Sequence, residues 1–268
     1  MTGYPLAVTG SCRAEEPRVQ QLYDISLTTL ERCMLDTYVD CPYYEQLQYA
    51  MDTYLQIIYA SKITSDDRLW KRAMRDFAMS VNSEGITQSR TPSQLQQFIP
   101  GFSLYYIMMV LLHYDNYGDF SVVDEHMPFI MQIFAWYERH CGENSLVYES
   151  EYWHFIDWAD EFEEARGVPT GEKGAALGVE SLILCYTLNW ASKILSGTVY
   201  DSLAAEYKRR ADKIKSAANS LLYSKKIQLY SNSFFYLLVL LAYRGRLASV
   251  LFELYAPLFI IFDDYIFG

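Results

Sequence analysis

Cysteine pairs, clustered histidines and positive charge are all scarce in this chain, and each shortage removes a class of chemistry. The five cysteines, Cys12, Cys33, Cys41, Cys141 and Cys185, are odd in number and widely spaced. With no C-x-x-C pair among them, they suggest neither a disulfide framework nor a zinc site. The four histidines, His113, His126, His140 and His154, form no His-x-x-x-His pair, so no metal and no other cofactor is expected. Glycine-rich phosphate loops and Gly-x-Ser-x-Gly elbows are missing, which argues against nucleotide-dependent and α/β-hydrolase chemistry. Lys plus Arg number 22 against 33 Asp plus Glu, a formal net charge of −11. That balance argues against nucleic acid or an anionic membrane as partner and suits a neutral or cationic small ligand. Met1 to Glu16 holds no basic segment followed by an apolar run, so no secretion signal is read and a cytoplasmic location is expected.

What the chain does have is helix. With 51% apolar and 21% charged residues over 268 positions, it can bury a sizeable core. Helical patterning covers about 17–35, 42–60, 66–81, 99–115, 121–140, 175–196, 200–223 and 233–243. In one clear case Leu203, Tyr207, Ile214, Ala217 and Leu221 recur at helical spacing among lysines and arginines. Turn formers at Asn82-Ser83-Glu84-Gly85, Arg90-Thr91-Pro92-Ser93 and Asn116-Tyr117-Gly118-Asp119 separate the segments. No strand series intervenes. The expected fold is all-α, a set of helical hairpins in one domain over 1–268, with an extended lead-in over 1–16 and an atypical apolar tail over 227–268. The 24 tyrosines fit mainly as core and rim packing.

Two stretches carry candidate chemistry. From Asp40-Cys41-Pro42 to Asp52 the pattern predicts a helix opened by Pro42, with Glu45, Tyr49, Asp52 and Gln56 on one face and Leu47, Met51, Tyr54, Leu55 and Ile58 on the other. That face is either an acidic site on a rigid support or a solvated surface. Asp40, just ahead of the proline, can also serve as a helix-terminal acceptor. The longest irregular region, 141–174, contains Tyr152-Trp153-His154-Phe155-Ile156-Asp157-Trp158-Ala159-Asp160. Two tryptophans flanking a carboxylate can cover the C–H face of a sugar and accept from its hydroxyls. They can equally anchor a loop, with Asp157 capping a turn.

Asp40-Cys41-Pro42, with an acid five residues after Asp40 and another twelve after it, resembles the motif of bacterial α-L-rhamnosidases of glycoside hydrolase family 78. Phe155-Ile156-Asp157-Trp158 is similar to the family's aromatic-acid element. Ile99-Pro100-Gly101-Phe102 and Tyr117-Gly118-Asp119 stand between them in the expected order, and the resemblance covers about residues 17–225. It implies an (α/α)6 six-hairpin barrel that binds a rhamnose-containing glycoside and hydrolyses terminal α-L-rhamnosides with inversion. By the same resemblance Glu45 matches the general acid. Asp40, Tyr49, Asp52, Asp157 and Trp158 match positions that contact the sugar. Tyr49 stands where the family often has tryptophan, and Tyr43 and Tyr44 replace basic residues common before the acid.

Such chemistry needs an acid that keeps its proton, which burial and the neighbouring Asp40 and Asp52 are expected to favour, and a base across the sugar. An inverting pair stands about 6.5–9.5 Å apart. On one helix Glu45 and Asp52 would lie roughly 10 Å apart along the axis and could not straddle the bond, so the base must come from elsewhere. In the family it is a glutamate of a later hairpin, which this chain does not present. About eight to ten of the twelve barrel helices are expected, as in a domain cut short at its C-terminus. The apolar runs Phe234–Tyr243 and Leu247–Phe262 are too short for a comfortable membrane span. Glu253 is the one glutamate in the tail and has no motif around it. Asp263-Asp264-Tyr265 lacks the third acid of an aspartate-rich metal motif. The alternative to an active enzyme is an inactive, truncated remnant that binds sugar or a protein partner. Linkage, aglycone and oligomeric state stay open.

Overall fold

The computed structural model describes residues 3–158, 162, 166–169, 174–224 and 229–230. Among these are seven helices: α1 (Pro17–Arg32), α2 (Ala50–Ile63), α3 (Arg68–Met79), α4 (Pro100–Tyr117), α5 (Phe120–His140), α6 (Gly178–Leu195) and α7 (Asp201–Leu221). One antiparallel pair of two-residue strands follows, β1 (Tyr223–Ser224) with β2 (Leu229–Tyr230). The expected all-α architecture is therefore present among the described residues. The expected helix over 233–243 and the apolar run to Phe262 lie outside the described residues, as do Ala159 and Asp160 of the aromatic stretch. The chain divides into two compact units, the first ending at Trp136 and the second opening at Tyr137.

In the first unit α4 forms the centre. It is apolar around most of its circumference, and Leu104, Tyr106, Ile107, Met109 and Val110 are fully buried. Tyr54 of α2 meets Tyr105 of α4 at 5.7 Å between ring centroids, and Tyr49 meets Phe102 at 6.4 Å. Both residue numbers rise together, so α2 and α4 run parallel. Between them in sequence, α3 docks through Trp70, whose Nε1 donates to the Met109 carbonyl at 3.1 Å. Turns expected from sequence occur with a clear cause. Asn82 Oδ1 accepts from the backbone N–H groups of Glu84, Gly85 and Ile86, and Gly118 ends α4 at a left-handed φ of 67°. Asp119 then accepts from Ser121 N at the start of α5.

In the second unit α6 and α7 form a helical hairpin. Ser192 Oγ donates to the Ala204 carbonyl and Cys185 Sγ to that of Ala211, pairings that require the two helices to run antiparallel. Almost all of α6 is buried. Among the described residues no helix is long and apolar enough to cross a membrane, and no group of three or more His, Cys, Asp or Glu side chains could hold a metal ion.

Candidate active site

The segment expected to open a helix at Pro42 does not do so. Residues 42–45 form a turn, Gln46 has a left-handed φ of 54°, and helix begins only at Ala50. Asp40 causes much of this. Its backbone N–H donates to the Leu47 carbonyl and its Oδ1 accepts from the Leu47 N–H, both at 2.9 Å, closing a loop from 40 to 47. Gln48 to Ala50 then pair with Ser89 to Thr91: Ala50 N donates to Ser89 O, Thr91 N donates to Gln48 O, and Tyr49 is bridged to Arg90. These long-range bonds satisfy backbone groups that helical propensity alone would have kept local. So Asp40 clamps a loop rather than caps a helix, and Leu47 does not share a helical face with Met51. Glu45 sits on the loop, with its side chain 51% exposed rather than buried.

Glu45 is nonetheless held. The Tyr49 hydroxyl donates to Glu45 Oε2 at 2.6 Å and accepts from Arg90 Nη1 at 2.8 Å, and the same guanidinium nitrogen stands 3.8 Å from Oε2. Arg90 also lies over the Tyr49 ring, with Cζ 5.6 Å from its centroid. Burial, joined by the hydrogen bond to Glu45, pushes the Tyr49 phenol up to about 12. Asp52 lies in the first turn of α2, where the helix dipole favours an acid. Asp40 and Asp52 share the surroundings of the buried Cys33 thiol: burial first, then Cys41 and these two carboxylates, raise its pKa. Tyr43 and Tyr44 are both strongly exposed and meet edge to face.

The second unit holds the aromatic stretch. Trp153, Phe155 and Trp158 form a triangle with centroid separations of 4.9, 5.2 and 6.0 Å. Phe155 is buried and anchors the loop, whereas Trp158 is 66% exposed. Asp157 Oδ1 accepts from the Trp158 N–H at 2.7 Å, and Ile156 N donates to the Gly167 carbonyl at 2.9 Å. Gly167 has φ +80°, and a Cβ there would stand 2.3 Å from the Phe155 ring. Behind the loop lies a buried chain of polar groups. Tyr137 donates to Glu180 Oε1 at 2.7 Å, His154 Nδ1 meets Glu180 Oε2 at 2.6 Å, and His154 Nε2 accepts from Ser150 N at 3.0 Å. With Nε2 accepting, Nδ1 carries the proton donated to Glu180. His154 thus belongs to this structural chain.

Two groups in these constellations were not marked by sequence. Arg90 lies in a segment recognisable only as a loop, and its link to Glu45 depends on the pairing with Gln48–Ala50. Glu180 looks like an ordinary acid in the first turn of α6; only its burial to 1% exposure reveals it.

The family model for the bacterial alpha-L-rhamnosidase 6 hairpin glycosidase domain matches residues 7–244, a wider span than the motifs alone cover. The fold is similar to the GH78 family rhamnosidase of Bacillus sp. GL1, with TM-score 0.76 and 21% identity over 85% of this chain and 23% of that one. It is also similar to a rhamnosidase from Klebsiella oxytoca with rhamnose bound, with TM-score 0.69 and 19% identity over 83% of this chain and 42% of that one. An α-L-rhamnosidase of Streptomyces avermitilis complexed with L-rhamnose matches with TM-score 0.65 and 15% identity over 82% of this chain and 20% of that one. This chain therefore spans less than half the length of each of these structures. No curated protein matches the sequence. With the family model covering most of its length, the chain belongs to the bacterial α-L-rhamnosidase six-hairpin glycosidase family.

Proposed function

We propose that this chain carries the acid side of an inverting α-L-rhamnosidase site, with a terminal α-L-rhamnoside as substrate and Glu45 as general acid. The observation that carries the reading is the grip on Glu45: an exposed carboxyl on a loop clamped by Asp40, held at one oxygen by Tyr49. An acid must reach the glycosidic oxygen, so exposure with restraint suits it. Membership of the family and the rhamnose in two structures of similar fold support the sugar. In this reading Asp40 and Asp52 accept from sugar hydroxyls and Tyr49 lines the ring beside Glu45; within the second unit, taken by itself, Trp158 and Asp157 supply an aromatic face and an acceptor of the kind a sugar takes. The general base is not identified in this chain.

Hydrolysis of phenyl α-L-rhamnoside by the full chain tests the reading, because phenol is a leaving group that needs a proton. Glu45→Gln is expected to lower kcat by about 10²–10⁴, the usual range for loss of a general acid. A folded wild type that binds L-rhamnose without turnover would instead identify a sugar-binding chain that lacks its base.

A further inference from the structure

Arg90 has a costly position that the fold alone does not explain. Its side chain is only 18% exposed, and Nε is buried with no hydrogen-bond partner among the described residues. Among the described residues, the carboxylate beside its guanidinium is that of Glu45, at 3.8 Å. Burying most of a cation this way is unfavourable unless its charge is used. The backbone nevertheless delivers it there by design of the chain: the Tyr49 to Arg90 bridge and the bonds on either side, Ala50 N to Ser89 O and Thr91 N to Gln48 O, fix where the side chain leaves the main chain. Gln48 Nε2 donating to the Thr91 carbonyl at 2.8 Å locks the same register. From there Nη1 reaches the Tyr49 hydroxyl, which passes its own proton toward Glu45 Oε2. Glu45 Oε1 takes part in none of these contacts.

We propose that Arg90 is a positioning residue for proton donation: acting through the Tyr49 hydroxyl, it fixes the Oε2 end of the Glu45 carboxyl and leaves Oε1 to carry the transferable proton. This rests on Glu45 being the general acid. In the step, the Glu45 Oε1–H bond breaks and the proton passes to the glycosidic oxygen. The bond from that oxygen to the anomeric carbon breaks with its electron pair staying on the leaving group. The attacking water's oxygen forms the new bond to the anomeric carbon from the opposite face, and its proton passes to a carboxylate base. Negative charge left on Glu45 is met at Oε2 by the hydrogen bond from Tyr49 and the guanidinium behind it, groups already in place before the charge develops. Arg90 thus stabilises the product state of the acid and orients its reactant state.

Leaving-group dependence separates this role from plain structural support. Arg90→Gln, Arg90→Lys, Tyr49→Phe and Glu45→Gln are compared with wild type on phenyl and on 2,4-dinitrophenyl α-L-rhamnoside, the second of which departs without a proton. Arg90→Gln is expected to lower kcat/KM on the phenyl substrate by roughly tenfold to a hundredfold and on the dinitrophenyl substrate by under about threefold, and Tyr49→Phe, which also faces the sugar, is expected to lose about tenfold more on the phenyl than on the dinitrophenyl substrate. Arg90→Lys, which keeps the charge, should recover part of the phenyl activity. Equal losses on both substrates, or no loss on the phenyl substrate, overturn the proposal while leaving the rhamnosidase reading intact. If Arg90→Gln does not fold, Tyr49→Phe decides, since it removes one hydroxyl and keeps the ring. A folded wild type inert toward both substrates, or Glu45→Gln as active as wild type on the phenyl substrate, overturns the reading of Glu45 and the role of Arg90 with it.

Discussion

Acid should weaken this protein through one histidine in particular. His126 lies on α5, 2% exposed, with Nδ1 2.7 Å from the hydroxyl of the fully buried Tyr106. Burial holds its pKa down to about 4, with Glu125 opposing the shift and Arg75 and His113 adding to it. An unfolded histidine titrates near 6.5, so as pH falls the unfolded chain takes up this proton first. The sign follows: the contribution is fully present above pH 6.5 and is lost as pH falls through the window toward 4. Linkage puts the loss at about 2 kcal/mol by pH 5 and about 3 kcal/mol by pH 4. Urea unfolding followed by far-UV circular dichroism at pH 7.5, 6.5, 5.5 and 4.5, for wild type and His126→Gln, measures it. Because glutamine does not titrate, the stability difference between the two proteins should shrink by about 2 kcal/mol between pH 7 and pH 5. Parallel loss in both proteins would refute the argument. So would a His126 ring proton resonance that titrates near 6.5 in the folded protein.

Two further outcomes follow from packing. Glu180→Leu removes the acceptor shared by Tyr137 and His154 and orphans two buried donors, so the second unit should lose roughly 2–6 kcal/mol, at about 1–3 for each. Glu149→Gln, an exposed site in the same unit, should stay within about 0.5 kcal/mol, and equal unfolding midpoints for the two variants would contradict this account. Gly85→Ala places a Cβ 2.9 Å from the Gln132 carbonyl oxygen at a φ of +103°. It should destabilise by about 1–3 kcal/mol, read as a lower melting temperature, whereas an unchanged melting temperature would mean that the turn relaxes freely.

The helices were legible because their signal is local. Apolar spacing placed α1, α3, α4, α5, α6 and α7 to within a few residues, and Asn82, Gly118 and Asp119 marked turns whose bonds close within four residues. The start of α2 failed for the opposite reason. Pro42 and the following residues permit a helix, but Asp40 binds Leu47 and Tyr49 pairs with Arg90, and neither bond is written in periodicity. Glu45 could thus be singled out by its motif while its surroundings were misjudged: a loop in place of a helix, exposure in place of burial, and a cation at the carboxylate.

Sequence by itself determined the helical class, the family and the residues worth testing, because composition, spacing and the Asp-Cys-Pro and Phe-Ile-Asp-Trp motifs are properties of short stretches. Tertiary structure alone decided what touches Glu45 and what holds the aromatic loop. Arg90 is 45 positions from Glu45, and Glu180 is 26 from His154 and 43 from Tyr137. Contacts over such separations form only when the packed core brings the chain back on itself, and there a hydrogen bond to a buried group outweighs the local preference of the residues that make it.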